Sequence, residues 1–165
     1  MKVPILHLED GFHQFKFVVT GKSLEFKESE IYPEDVAVNI EVNKFGKNLT
    51  CNVDIVTKGH YSCDRCLESY VRPYQENFRL LFHIGTSDFE TDEEDVVMLP
   101  PETVEIDFKE RLIEHLKLTV PMKNLCRQDC KGICPGCGVD LNHESCRCTH
   151  SATDPRWEEL RKLLK

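Results

Sequence analysis

Apolar residues recur at every second position through four stretches of this chain. Phe15, Phe17 and Val19 share one face within residues 12–19, as do Val36, Val38, Ile40 and Val42 within 36–42. Leu49, Cys51, Val53 and Ile55 repeat the pattern within 49–57, and Tyr74, Phe78, Leu80, Phe82 and Ile84 carry it through 70–84. Period two predicts half-buried strands. Lys44-Phe45-Gly46-Lys47-Asn48 supplies a turn between the second and third stretches, which predicts a hairpin. Val96-Val97-Met98-Leu99, stopped by Pro100-Pro101, predicts one more short strand. No helical stretch separates the first four, so the expectation is an antiparallel sheet or partly closed barrel rather than a βαβ arrangement.

The period changes after Pro101. Phe108, Leu112, Ile113 and Leu116 recur at helical spacing, and Asp107 with Glu110 three residues later resembles a capping box. A helix is predicted over about 107–118, ended by Pro121. His115 sits beside the apolar stripe and reads as a partly exposed helix residue, not a metal ligand. A last helix is predicted from Asp154-Pro155, with Trp157, Leu160 and Leu164 on one face. The fold class is α+β: a sheet with one amphipathic helix over 1–121, then a tail over 122–165 with a closing helix, packed on the first part.

The tail changes the picture through its cysteines. Six of the nine fall between Cys126 and Cys148. Cys134-Pro135-Gly136-Cys137-Gly138 places two thiols on a tight turn, and Gly138 permits the positive φ that such a turn needs. Cys146-Arg147-Cys148 adds two more thiols and completes the ligand inventory of structural zinc, a closed four-sulfur set with Zn–S near about 2.3 Å. Cys63-Asp64-Arg65-Cys66 is a second CxxC, lying between two strands, and Cys126 and Cys130 are left over. We expect these four to form a second site. Closing that loop costs roughly 3–4 kcal/mol of chain entropy. A tetrathiolate zinc site contributes about 10–16 kcal/mol, so the separation in sequence is no obstacle.

Another partition joins Cys126, Cys130, Cys134 and Cys137, leaving Cys63, Cys66, Cys146 and Cys148 as a second set or free. His143 or His150 standing in for a thiol is a further alternative. Redox catalysis by Cys63 and Cys66 would call for a helix start in a βαβ unit, which the flanking strands do not offer. Cys51, between Leu49 and Val53 on an apolar strand face, reads as a core thiol.

Composition sets the class. At 40% apolar and 30% charged the chain is of globular type. No apolar run approaches the roughly 20 residues of a membrane span. Glu9 and Asp10 fall where a signal peptide would be apolar, so a cytoplasmic location is expected. The net charge of −8 opposes blanket binding to a polyanion. It is unevenly spread: residues 88–110 hold ten carboxylates and one Lys, whereas residues 122–165 hold eight Lys or Arg against six carboxylates. Hydrolytic zinc needs an open position and usually His or carboxylate ligands. Closed thiolate sets without an HExxH motif argue against an enzyme.

Three segments resemble the bacterial YceD family, named for large-subunit ribosomal RNA accumulation. They are Cys63-Asp64-Arg65-Cys66-Leu67-Glu68, the run from Leu125 through Gly138 continuing into Leu141-Asn142 and Cys146-Arg147-Cys148, and Asp154-Pro155-Arg156-Trp157. The resemblance covers roughly residue 30 to the end. It implies a ribosome biogenesis factor needed for processing or accumulation of large-subunit (23S) ribosomal RNA; the non-enzymatic reading and the one or two structural zinc ions come from the cysteine sets themselves. The implied partner is that RNA or a large-subunit precursor particle, with Arg127, Lys131, Arg147, Arg156 and Arg161 as candidate phosphate contacts. For Arg156 and Arg161 a solvated helix face is the simpler reading. The competing role is a protein adaptor whose acidic 88–110 stretch engages a basic ribosomal protein or another assembly factor.

Overall fold

The computed structural model describes residues 1–24, 29–85 and 96–148. The acidic segment 88–95, His150, and the closing helix with Arg156 and Arg161 lie outside the described residues. The chain divides into two compact units, one of residues 1–61 and 69–122, the other of residues 62–68 and 123–165.

Among the described residues the first unit holds seven strands, β1 (Lys2–Pro4), β2 (Gly11–Thr20), β3 (Asp35–Phe45), β4 (Asn48–Ser62), β5 (Ser69–Ile84), β6 (Val96–Leu99) and β7 (Glu105–Asp107), and the helix α1 (Lys109–Leu118). Strand β4 runs one residue past the first unit's limit, into Ser62. Five strands form one sheet in the order β2-β3-β4-β5-β6, and β1 and β7 pair separately.

Register places the apolar positions on one face. Phe15 faces Ile40 and Phe17 faces Val38 across the antiparallel β2–β3 pair. Across β3–β4, Val38 faces Ile55, Ile40 faces Val53 and Val42 faces Cys51. All of these β3 and β4 side chains are buried. A one-residue slip would turn the whole set to solvent. The hairpin between β3 and β4 closes on the partners Phe45 and Asn48, with Gly46 at a φ of +57°. Positive φ at the first central residue only is the requirement of a type II′ turn, whose twist matches the strands.

Helix α1 buries Leu112 and Leu116, with Phe108 just before it. Phe108 packs edge-on against Phe82 at 6.0 Å. The helix starts two residues later than the sequence predicts. Asp107 accepts a hydrogen bond from the Lys109 N–H through Oδ1 at 2.8 Å, but Phe108 occupies the N-cap and no side chain caps it. His115 stacks on Phe78 with ring centroids 3.6 Å apart and planes 7° off parallel. Cys51 is fully buried, and burial pushes its thiol up to about 12, as expected of an inert core cysteine.

Two features differ from the sequence expectation. Strand β6 pairs parallel to β5, with Leu81 opposite Val96 and His83 opposite Met98, so the sheet is mixed. Among the described residues its strand order is linear, with β2 and β6 at opposite ends, so the sheet is not a closed barrel. The three-residue strands β1 and β7 carry too little alternation to be read locally. They exist because Val3 and Ile106, direct partners, are both buried.

Candidate metal centres

The second unit contains eight of the nine cysteines and brings their sulfurs into two groups. Cys63, Cys66, Cys126 and Cys130 form one, which we call the inner set. Cys134, Cys137, Cys146 and Cys148 form the other, the outer set. Within each, all four sulfurs lie within 4.8 Å of one another. The mixed partition of Cys126 and Cys130 with Cys134 and Cys137 is not the arrangement found, and among the described residues no histidine joins either group. His143 instead faces Asp140 at 3.7 Å.

Local backbone geometry explains how each pair of thiols converges. In the first knuckle the Cys63 N–H donates to the Glu68 carbonyl at 2.9 Å, and the Leu67 N–H donates to the Cys63 carbonyl at 2.9 Å. The second repeats this at the same offsets: Cys134 N–H to the Val139 carbonyl at 2.8 Å, and Gly138 N–H to the Cys134 carbonyl at 2.9 Å. The two segments are therefore the same turn built twice. The residue after the second thiol is left-handed in both, Leu67 at φ +61° and Gly138 at φ +73°. Leucine there is an uncommon choice for a non-glycine residue.

The spacing of the sulfurs fits a tetrahedral ion. Four sulfurs at about 2.3 Å from one centre are separated by about 3.8 Å. The observed separations are 3.8 Å for Cys63–Cys130 and 3.7 Å for Cys66–Cys126. In the outer set they are 3.5 Å for Cys134–Cys146, 3.7 Å for Cys134–Cys148 and 4.0 Å for Cys137–Cys146. A disulfide would need about 2.05 Å. All eight are free thiols.

Electrostatics points the same way. The Cys126 N–H, then those of Cys66 and Arg65, hold the Cys63 thiol down to about 6 against the opposing effect of burial. The Val139 and Arg147 N–H groups do the same for Cys137, also to about 6. Their neighbours move the other way. Burial and then the adjacent Cys66 and Cys130 thiols push Cys126 up to about 12, and Cys146, Cys137 and Cys134 push Cys148 up to about 12. Packed thiolates repel, and a divalent cation bound among them would relieve that conflict.

Around the inner set, Asn142 donates from Nδ2 to the Cys130 sulfur at 3.4 Å and to Asp140 Oδ1 at 2.7 Å. Its Oδ1 accepts from the Lys131 N–H at 2.8 Å and from Arg127 Nη2 at 2.9 Å. Arg65 donates to the Cys130 carbonyl at 2.7 Å. Sequence reading assigns no role to Asn142 or Arg65; the signal available is an Asn placed between two cysteine groups. Gly132, at φ +75°, lets the chain pass Arg65: a Cβ there would lie 2.9 Å from the Arg65 carbonyl oxygen.

The candidate phosphate contacts fare unevenly. Arg127 is committed to Asn142 and lies 3.6 Å from Asp129. Arg147 is paired with Glu144. Lys131 is exposed, and its ammonium has no ion-pair partner among the described residues.

The model of one protein family matches residues 51–164: the large ribosomal RNA subunit accumulation protein YceD. The chain belongs to the YceD family. The matched span contains both cysteine sets. A Mycobacterium tuberculosis protein described as uncharacterized is 34% identical over 132 residues, which is 79% of this chain and 61% of that protein. A chloroplastic YCED homolog of Arabidopsis thaliana, named for large ribosomal RNA subunit accumulation, is 26% identical over 168 residues, covering 83% of this chain and 51% of that protein. The chain thus spans between half and two thirds of these relatives' lengths. No solved structure matches it. Among the described residues no helix is long and apolar enough to cross a membrane.

Proposed function

We propose that this YceD-family chain is a non-enzymatic cytoplasmic factor that supports accumulation of large-subunit ribosomal RNA by binding that RNA or its precursor particle. Two zinc ions, held by the inner and outer thiol sets, are the scaffold of its binding unit. The observation that carries this reading is the pair of closed four-sulfur groups at tetrahedral spacing, in a chain of a family named for ribosomal RNA accumulation. Four thiolates leave no coordination position for a substrate or a hydrolytic water, so the chemistry zinc supplies here is cross-linking of chain segments.

Lys131 is the described cation best placed to meet phosphate, because Arg127 and Arg147 are engaged within the unit. This same engagement, with the net charge of −8, favours as second reading an adaptor that binds a basic ribosomal protein or another assembly factor through the acidic 88–110 stretch. In-cell crosslinking with sequencing of the attached RNA, alongside sedimentation, separates the two. RNA binding gives crosslinks to one large-subunit region that Lys131→Glu removes. The adaptor gives co-sedimentation without crosslinks, lost when Asp92, Glu93, Glu94 and Asp95 are neutralised. Absence of both signals would refute the ribosomal reading.

A further inference from the structure

The two thiol sets are built from the same turn but stand in different surroundings. In the inner set Cys63, Cys66 and Cys130 are buried and Cys126 is partly so. The set links positions 67 residues apart and carries the Asn142 and Arg65 contacts. In the outer set only Cys134 is buried, while Cys137, Cys146 and Cys148 are exposed. It closes within the stretch 134–148, and Gly136 lies so close to it that a Cβ there would meet the Cys148 sulfur at 2.6 Å.

Oxidation of thiols follows exposure and thiolate character. A metal-bound thiolate keeps its nucleophilicity, and a small peroxide needs only access to the sulfur. Access is what the two sets do not share. Two of the exposed cysteines, Cys137 and Cys146, have sulfurs 4.0 Å apart. A disulfide between them needs an approach of about 2 Å, to a bond of about 2.05 Å, within a short local segment.

We propose that the outer set is an oxidation site for hydrogen peroxide, at which Cys137 and Cys146 form a disulfide and release the outer metal, while the inner set keeps its own. The inference rests on the zinc reading above. One thiolate attacks a peroxide oxygen, the O–O bond breaks, and hydroxide leaves, giving a sulfenic acid on that cysteine. The partner thiolate then attacks the sulfenyl sulfur, forming the S–S bond and expelling a second hydroxide. Two thiolates lose two electrons and the peroxide gains two. Cys134 and Cys148 remain as a dithiol, too few ligands for a closed site, and zinc leaves as the free ion. Reductant and zinc reverse the change.

The test uses the full chain purified reduced with its metal. Zinc per chain is measured before and after graded peroxide with a colorimetric chelator, and disulfides are mapped by mass spectrometry after blocking free thiols. Two zinc ions are expected at the start. One is lost at low peroxide, with a Cys137–Cys146 disulfide, and it returns on reduction with added zinc. A starting content below two refutes the zinc reading itself. A starting content of two followed by simultaneous loss of both ions, loss of neither, or a disulfide among Cys63, Cys66, Cys126 and Cys130 overturns the proposal and leaves the zinc reading standing.

Discussion

Alanine at Gly132 and at Gly138 should have very different consequences, although the two backbones are nearly the same. Gly132 has φ +75° and Gly138 φ +73°, so an added Cβ meets similar left-handed strain in both, roughly 1–2 kcal/mol. What surrounds them differs. Nothing lies within 4 Å of a Cβ at Gly138, whereas one at Gly132 would sit 2.9 Å from the Arg65 carbonyl oxygen and 3.0 Å from the Arg65 Cβ. That carbonyl already accepts the Ile133 N–H at 2.9 Å, so it cannot retreat without breaking the bond between the first knuckle and the segment leading to the second. Overpacking against fixed atoms costs about 1–3 kcal/mol, which brings Gly132→Ala to roughly 2–5 kcal/mol. Metal affinity at such a site is coupled to folding. Apparent zinc affinity of the inner set should therefore fall roughly thirtyfold or more for Gly132→Ala, against about five- to thirtyfold at the outer set for Gly138→Ala. Competition against a chelator of known affinity reads both. Equal losses would show that the Arg65 contact carries no energy and that strain alone explains the glycines.

Three further outcomes follow from the geometry. Asn142→Ala should weaken zinc at the inner set, since it removes the donor to Cys130 and strands the Lys131 N–H; Asn142→Asp should be worse, because it sets a carboxylate against a thiolate, and chelator competition would show the order reversed if the hydrogen bond is unimportant. Leu112→Ala should lower unfolding free energy by about 2–5 kcal/mol, because Leu112 is 1% exposed in the core, and a loss under about 1 kcal/mol in denaturant unfolding would place the helix off the sheet. Asp107 has its carboxyl held low, chiefly by the Lys109 N–H. A depressed folded value contributes stability above the unfolded value of about 4, lost as pH falls through the folded one. Asp107→Asn should remove that part of the acid dependence, and unchanged acid unfolding would refute it.

The four main strands and the helix were legible because each is a local periodicity. Phe15 to Val19, or Leu112 to Leu116, fix a face from neighbours within a few positions, and the burial required of that face does the rest. The CxxC turns were legible for a similar reason, since the knuckle is closed by hydrogen bonds four and five residues apart. The tertiary structure alone decided what joins distant segments: the pairing of Val3 with Ile106, the parallel course of β6 beside β5, and the meeting of Cys63 and Cys66 with Cys126 and Cys130, which the spacing permitted but did not compel against the mixed partition. It also decided which charges are free. Arg127 and Arg147 look alike in sequence to Lys131, but Asn142 and Glu144 claim them, because a guanidinium bonds whatever acceptor the fold brings within reach. Leu67 in a left-handed turn is the counter-case, where local preference would ask for glycine and the closure of the first knuckle imposes the conformation regardless.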